Sequence, residues 1–222
     1  MDELVTCDDG RTRCGYRATD PHFRAYHDHE FGRPSADETR IFEKICIETL
    51  ASGLSFHMVL ARRDLLRDAF HGFEVDRVAQ FDDSDVDRLM QTEGVIRNGA
   101  KLRACLHNAR RARAMRDDDG GLPVFLWAHE PAHWERPDEM RLTWLRNHPT
   151  NASSEALAKA LKKRGWQWVG PTTCYGVFQG LGLVNDHFDG CAFRQPCLDA
   201  RAAFVPPGRE PPVHVRTQSV DQ

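Results

Sequence analysis

The sequence predicts an all-α protein from three observations. Apolar residues recur at spacings of three and four, capping residues precede those segments, and strand-like alternation is scarce. The chain has 222 residues, of which 41% are hydrophobic and 28% are charged. This composition suits a single globular core. Since no apolar run reaches the roughly 18 residues that span a bilayer and no secretory signal is evident, we expect a cytoplasmic protein.

The first helix of the core is predicted over residues 36–52. Ser35 and Glu38 have the spacing of a capping box, and Gly53 is placed to end the helix. Further helices are predicted after the capping pattern at 84–87, from Ala100, from Ser153 or Ser154 to Gly165, and from Pro171. The predicted organisation is a flexible arm over residues 1–12, a domain over 13–195 and a disordered tail over 196–222.

One carboxylate lies on the apolar face of the first helix. Glu48 follows Ile41 by seven positions, which puts the two residues within about 20° of each other on a helical wheel. A carboxylate that is partly buried there needs a hydrogen-bond network or a cationic ligand. The alternative is a glutamate at the edge of the face that reaches solvent.

A basic hairpin is predicted over residues 84–116. Seven Lys and Arg residues lie between 97 and 116 with no acidic residue among them, although the whole chain carries a net charge of −3. A turn between two helices can present backbone N–H groups to phosphate, and basic side chains add to the attraction. The candidate DNA-binding residues are Gly94, Arg97, Gly99 and Lys101. The alternative is a solvated helix face, and the turn has Ile96 where the motif usually has a second glycine.

Two Cys/His pairs lie at opposite ends of the predicted domain. Cys14 and His27 form the first pair, and His187 and Cys191, at positions i and i+4, form the second. Two sulfurs and two imidazoles suit a closed tetrahedral zinc site. Seven cysteines and eleven histidines also allow many chance pairs. Spacing alone does not exclude the neighbours Cys7, His22 and His29.

Several stretches resemble, in order, the 3-methyladenine DNA glycosylase I family. The resemblance runs from about Arg13 to Cys191. The matching stretches are Arg13-Cys14-Gly15-Tyr16, Ala25-Tyr26-His27-Asp28, Phe42-Glu43-Lys44-Ile45-Cys46-Ile47-Glu48, Gly53-Leu54-Ser55-Phe56, Gly94-Val95-Ile96-Arg97, Leu161-Lys162-Lys163-Arg164-Gly165 and Gly182-Leu183-Val184-Asn185-Asp186-His187. The resemblance implies a helix-hairpin-helix glycosylase fold whose ends are joined by one structural zinc ion, bound by Cys14, His27, His187 and Cys191.

The same resemblance implies the site and the reaction. Glu48 matches the family's base-recognising carboxylate, and Tyr26 matches its pocket tyrosine. Further base-binding rings are expected at Tyr16, Phe31 and Phe56. The implied reaction is hydrolysis of the N-glycosidic bond of 3-methyladenine, or of other N3-alkylated purines, in double-stranded DNA by a monomeric, nucleoid-associated bacterial enzyme.

Two further expectations concern the chemistry. No lyase step is expected, because no lysine in the matched pocket segments is placed as a Schiff-base nucleophile. Leu54 is either a wedge that fills the gap left by an extruded base or a core leucine at the end of a helix.

The aromatic positions depart from the family's pattern. Tyr16, Phe31 and Phe56 stand where the family often carries Trp, so the substrate range is open and could include bulkier adducts. A zinc-containing protein that binds alkylated DNA with little catalysis is a second hypothesis, and a helical scaffold for protein partners is a third. No function is assigned to residues 117–144.

Overall fold

A computed structural model describes residues 3–16, 18–132 and 135–209, and within these the chain is mostly helical, as predicted. The strands are β1 (Leu4–Thr6) and β2 (Thr12–Cys14), and the helices are α1 (Pro21–His29), α2 (Glu38–Ala51), α3 (Phe56–Leu60), α4 (Arg63–Ala69), α5 (Val75–Val78), α6 (Asp83–Gln91), α7 (Gly99–Asp118), α8 (Leu122–Trp127), α9 (Leu142–Asn147), α10 (Ala152–Lys163), α11 (Pro171–Gly180) and α12 (Arg194–Ala203). No helix of the described ranges is both long and apolar enough to cross a membrane.

The first core helix, α2, begins two residues later than the sequence indicates. Asp37 is its N-cap and accepts a hydrogen bond from the backbone N–H of Arg40 at 2.7 Å. The expected Ser35 cap is therefore wrong, because a cap must adjoin the first turn and Asp37 occupies that position. The helix ends as expected just before Gly53, whose φ of +72° suits glycine.

Two other helices have N-caps that lie two or three residues before the expected ones. Asp82 caps α6 instead of Ser84, and Asn151 caps α10 instead of Ser153 or Ser154. Asn98 caps α7 by accepting the N–H of Lys101 at 3.2 Å, and Pro171 opens α11 as predicted. Asp and Asn bind the free N–H groups of a first turn as well as Ser does.

Helix α2 lies at the centre of the fold. It packs against α3, α7, α8 and α11, and its residues Ile41 and Phe42 are fully buried. The thiols of Cys46, Cys105 and Cys174 are core groups, as the sequence indicated. Functional side chains on α2 therefore have a rigid base.

Residues 3–12 of the N-terminal arm are ordered, contrary to the expectation of a flexible arm over residues 1–12, of which the first two lie outside the described ranges. Strands β1 and β2 pair antiparallel with Leu4 opposite Cys14, and the N–H of Ala192 donates to the carbonyl of Thr12 at 2.8 Å. Leu4 packs against the buried cluster that contains Phe188, Cys191 and Phe193, so contacts with the far end of the chain order this short hairpin.

The predicted C-terminal disorder is also wrong as far as residue 209. Helix α12 occupies Arg194–Ala203 and buries Cys197, and the ring of Phe204 lies 4.7 Å from that of Trp127. One buried face is enough to dock a segment whose composition is otherwise polar. Residues 210–222 of the predicted tail lie outside the described ranges.

Candidate functional site

A cavity of about 330 Å³ opens between α1, α2, α3 and α11. Glu48 and all four predicted base-binding rings line it. The complete lining is Tyr16, Phe23, Tyr26, Phe31, Lys44, Glu48, Phe56, Leu145, Pro149, Thr172, Tyr175, Gly176 and Gln179.

The aromatic side chains form one connected wall. The ring of Tyr26 lies 5.5 Å from that of Phe56 and 6.1 Å from that of Phe31, and the ring of Tyr16 meets Phe23 edge-on at 5.5 Å. Tyr26 and Phe31 are buried, and Phe56 is partly exposed. A flat ligand in the cavity would therefore contact fixed ring surfaces.

The carboxylate of Glu48 is paired with a lysine that sequence reasoning did not assign to the site. Lys44 lies one helical turn earlier on α2, and its Nζ is 2.6 Å from Glu48 Oε1 and 3.0 Å from the hydroxyl of Tyr26. Burial favours the neutral amine, but the charge of Glu48 and the contact with Tyr26 outweigh burial and raise the pKa of Lys44. Lys44 belongs to one of the matched pocket segments, and its i, i+4 spacing from Glu48 is the sequence signal that places it beside the carboxylate.

Two glycines of α11 make room for this ion pair. A Cβ at Gly176 would come within 2.6 Å of Glu48 Oε1, and a Cβ at Gly180 would come within 2.9 Å of the Tyr26 hydroxyl. Both distances are shorter than van der Waals contact, so only glycine fits at these positions without displacing the site. The sequence signal is the pair of glycines at i and i+4 on one helix.

A buried aspartate fixes the wall of the cavity on the α11 side. Asp186 is fully buried and accepts hydrogen bonds from the Tyr175 hydroxyl at 3.0 Å and from Gln179 Nε2 at 2.8 Å. Arg136 pairs with Asp186 and donates to the Tyr175 oxygen at 2.8 Å. Burial, together with the charge of Asp186, raises the pKa of Tyr175. Through Arg136, the segment 117–144 helps to hold Tyr175 and Asp186 in place at the cavity wall. The sequence alone assigned no function to this segment.

The four predicted metal ligands meet in one buried cluster. The donor atoms of Cys14, His27, His187 and Cys191 all lie within 4.8 Å of one another. The two imidazole nitrogens are 3.1 Å apart, and the Cys191 sulfur is 3.5 Å from His187 Nδ1 and 3.7 Å from His27 Nε2. The cluster can therefore hold a metal ion. Cys7, His22 and His29, the neighbours that spacing left open, do not belong to it.

The second ring nitrogen of each cluster histidine is also engaged. His27 Nδ1 lies 2.8 Å from a carboxylate oxygen of Asp28, and His187 Nε2 lies 3.1 Å from the carbonyl of Phe31. Buried Arg13 in turn pairs with Asp28 at 2.8 Å. These contacts fix the tautomers that direct His27 Nε2 and His187 Nδ1 into the cluster, as in protein metal sites generally.

The predicted hairpin consists of α6, a turn and α7. In the turn Gly94 has a φ of +80° and lies against Leu65, while Arg97 is exposed. Gly99 is the first residue of α7.

Lys101 does not face solvent, so its prediction as a phosphate contact is wrong. It is 4% exposed, and its ammonium group donates to the carbonyls of Leu50 and Ser52 at the C-terminus of α2. A cation at a helix C-terminus satisfies free carbonyls and complements the helix dipole.

Two other basic residues of α7 have the same role as Lys101. Arg110 donates to the carbonyl of Ala79 at the end of α5, and Arg111 donates to the carbonyl of Arg164 at the end of α10. Lys101, Arg110 and Arg111 thus cap other helices, a role that neither interpretation weighed from the sequence included. Arg110 is nevertheless exposed, as the interpretation of a solvated face expects.

Leu54 is exposed in the turn between α2 and α3. Its residue surface is 44% accessible, and the turn leads directly into Phe56 at the cavity wall. The alternative interpretation of Leu54 as a core leucine is therefore wrong.

Comparisons with known proteins agree with this geometry. The family model described as methyladenine glycosylase matches residues 16–195. The chain belongs to the methyladenine glycosylase family. It is 42% identical over 180 residues to DNA-3-methyladenine glycosylase 1 of Escherichia coli strain K12, covering 81% of this chain and 95% of that protein.

Two further relatives extend the methyladenine glycosylase match. The chain is 40% identical over 190 residues to DNA-3-methyladenine glycosylase of Haemophilus influenzae, covering 84% of this chain and 97% of that protein. It also superimposes on a crystal structure of 3-methyladenine DNA glycosylase I with a TM-score of 0.75 and 40% identity, covering 81% of this chain and 98% of that one. The resemblance seen in the sequence is thus confirmed for nearly the whole length of these relatives.

Proposed function

We propose that the chain is a monofunctional DNA glycosylase that hydrolyses the N-glycosidic bond of 3-methyladenine in alkylated double-stranded DNA. One observation supports this proposal above the others. This chain, which belongs to the methyladenine glycosylase family, places the carboxylate of Glu48 in a cavity of about 330 Å³ that is lined by aromatic side chains. Such a cavity suits a flat, polar-edged ligand such as a nucleobase.

The chemistry follows from the substrate's own lability. Methylation at N3 makes adenine cationic, which weakens its bond to the sugar. The protein therefore has to extrude and recognise the base more than to activate a leaving group. The faces of Tyr26 and Phe56 stack on the flipped base, and Glu48 accepts hydrogen bonds from its amino edge. The C–N bond to the sugar breaks with its electron pair staying on the base, which leaves uncharged. Water then adds to the sugar carbon and gives up one proton to solvent, leaving an abasic site.

The metal in this proposal is zinc, with a structural role. Tetrahedral zinc bonds of about 2.0–2.1 Å to nitrogen and about 2.3 Å to sulfur put two nitrogens about 3.4 Å apart and a nitrogen and a sulfur about 3.6 Å apart. In this structure the two imidazole nitrogens are 3.1 Å apart, and the nitrogen–sulfur distances in the cluster are 3.5 to 3.9 Å. Zinc bound by Cys14, His27, His187 and Cys191 has no open position, so it supplies cross-linking rather than catalysis.

The chemistry of the two sulfurs also fits a divalent cation. The proximity of the two sulfurs raises the pKa of Cys14 and lowers that of Cys191. A zinc ion would favour the thiolate form of both and neutralise their charge.

DNA contact is assigned to the helix-hairpin-helix turn and to Leu54. The backbone N–H groups around Gly94 and Gly99 approach a phosphate, and exposed Arg97 adds a positive charge. Leu54 fills the gap left by the extruded nucleotide. Lys101 is left out of this assignment because it is buried. The enzyme is proposed to act as a monomer in the cytoplasm, at the nucleoid.

The direct test is base release from DNA treated with a methylating agent, measured by chromatography of the liberated bases. We expect free 3-methyladenine from the wild type and an approximately 100-fold lower rate for Glu48→Gln, consistent with losing a charge-assisted contact in the transition state. Glu155→Gln changes an exposed carboxylate on α10 and serves as the matched control. Tight binding of methylated duplex without any base release would instead favour the damage-binding hypothesis.

A further inference from the structure

The β1–β2 hairpin, over residues 4–14, is a feature that the proposed function does not explain. The family model matches from residue 16, and the resemblance in the sequence starts at about Arg13, so β1 and the turn after it precede the shared domain. The second strand nevertheless ends at Cys14, one of the four proposed metal ligands. The hairpin therefore joins a segment outside the family match directly to the metal cluster.

A buried arginine connects the turn of the hairpin to this cluster. Arg13 precedes Cys14 on β2, and its side chain is 2% exposed. Its guanidinium donates to both carboxylate oxygens of Asp28, at 2.8 to 3.1 Å, and to both of Asp9, each at 2.7 Å. Asp28 Oδ1 lies 2.8 Å from His27 Nδ1. One series of contacts thus runs from the hairpin turn to the ring of a metal ligand.

Asp9 engages the part of the guanidinium that Asp28 leaves free. Nε and Nη2 of Arg13 face Asp28, whereas Nη1 and Nη2 face Asp9, so two carboxylates hold one planar group from two sides. Bidentate contacts of this kind fix geometry more closely than single hydrogen bonds do. Loss of Asp9 would leave buried N–H groups of Arg13 without their acceptors, which favours movement of the arginine away from Asp28.

The hairpin also covers the loop that carries the last metal ligand. An added Cβ at Gly190 would come within 2.8 Å of the Leu4 side chain, so β1 lies directly against the residue before Cys191. On the other side of that ligand, the N–H of Ala192 donates to the carbonyl of Thr12 at 2.8 Å. The hairpin therefore contacts the chain on both sides of Cys191.

We propose that the β1–β2 hairpin slows the release of the metal ion, and that Asp9 acts as a positioning residue for the ligand His27. Asp9 fixes Arg13, which in turn orients Asp28. The Asp28 carboxylate then keeps the His27 ring turned with Nε2 toward the ion, as the outer partners of metal-bound histidines do. The inference rests on the proposed zinc site and not on the proposed reaction with DNA.

The rate of zinc release from the full chain measures this role directly. Zinc-loaded protein is mixed with an excess of a chromogenic chelator, and transfer of the metal is followed by absorbance. Asp9→Asn removes one charge with almost no change in shape, and we expect it to release zinc about tenfold faster than the wild type, at the lower end of the effect of outer-shell substitutions. Asp9→Glu keeps the charge, so its rate should lie closer to that of the wild type.

The neighbouring residue of the same turn provides the matched control. Asp8 is 81% exposed and pairs with Arg24 instead of Arg13. Asp8→Asn removes the same charge from the same turn and should leave the release rate unchanged. A rate for Asp8→Asn as fast as that for Asp9→Asn would overturn the specific role of Asp9.

Thermal melting separates a positioning role from a purely structural one. Weaker zinc binding reduces what the metal adds to stability, so Asp9→Asn should lower the melting temperature of the zinc-loaded protein more than that of the metal-free protein. An equal decrease in both forms would show that Asp9 supports the hairpin alone. The release rate is measured on folded, zinc-loaded protein, so that measurement does not depend on the stability of the metal-free form.

The outcomes distinguish this inference from the proposed function. Equal release rates for the wild type and folded Asp9→Asn overturn the role of the hairpin while the zinc site stands. A wild type that binds no zinc overturns the inference and the zinc site together. Base release from methylated DNA is measured on the same preparations. Faster zinc loss from Asp9→Asn supports the inference even if no base is released, a result that would overturn the proposed reaction alone.

Discussion

Gly176 lies so close to Glu48 that a methyl group on its Cα would come within 2.6 Å of the carboxylate oxygen Oε1. The position of the carboxylate that we propose recognises the base therefore depends on a residue from another helix that has no side chain. Helices α2 and α11 form the cavity together because α11 presents bare backbone at the point of closest approach.

Substitution of Gly176 by alanine should lower activity more than stability. The added methyl group displaces Glu48 and Lys44 from the cavity wall, and we expect at least a tenfold loss in the rate of 3-methyladenine release. The higher helix propensity of alanine offsets part of the steric cost to folding. Gly170→Ala is the control, because a Cβ there has no heavy atom within 4 Å. Equal rates for the two variants would show that the close packing of Gly176 is irrelevant to the reaction.

The metal assignment predicts one zinc per chain in purified protein, measured by elemental analysis. His187→Ala should lose the metal and lower the melting temperature by about 10 °C or more, because several kcal/mol of binding energy no longer support the fold. His29→Ala removes an exposed histidine two residues from His27 and should retain both metal and stability. Full zinc content in His187→Ala would contradict the proposed ligand set.

Lys44 is not expected to form a Schiff base with an abasic site, although it lines the cavity. Imine formation requires a neutral amine, and Glu48 and Tyr26 hold the pKa of Lys44 above its ordinary value, so the ammonium form persists at neutral pH. Borohydride treatment of the protein with an abasic duplex should therefore trap no covalent complex. A trapped complex that disappears in Lys44→Met would show that the enzyme is bifunctional.

Arg97 and Lys101 were both predicted from the sequence to bind DNA at the hairpin, but we expect substitution of Arg97 to weaken DNA binding and substitution of Lys101 to lower stability. Arg97→Ala should reduce the slope of log affinity for duplex DNA against log salt concentration by about one unit. Lys101→Met should leave that slope unchanged and lower the free energy of unfolding by about 1–3 kcal/mol, because the carbonyls of Leu50 and Ser52 lose a buried donor. Arg113→Ala, exposed on the same helix but away from the turn, controls for net charge. A lower slope for Lys101→Met alone would reverse this assignment.

Most of the helices and the composition of the site could be predicted from the sequence. Apolar spacing locates α2, α7, α10 and α11, because each helix buries one face of a regular repeat. The partial burial of Glu48 follows from its position relative to Ile41 on the same helix. These features depend on the order of residues within single segments, which the sequence states directly.

Features that depend on the relation between distant segments could not be predicted. The sequence shows that Lys101 is basic but not that its ammonium group meets the C-terminus of α2. Arg136 and Asp186 are fifty positions apart in the chain, and their ion pair has no local signature. The hairpin of β1 and β2 likewise depends on Ala192 and on the buried cluster around Phe188 and Cys191, so its composition alone favoured a flexible arm.

The cysteine and histidine cluster shares its walls with the base pocket. The His27 ring lies 6.4 Å from each of the rings of Tyr16 and Phe31, and two of the four ligands come from residues 187 and 191. A nascent chain that has left the ribosome only as far as residue 186 has half of the cluster and no anchor for this side of the pocket. The wall that the pocket shares with the cluster is therefore anchored on this side only after residues 187 and 191 have joined the fold.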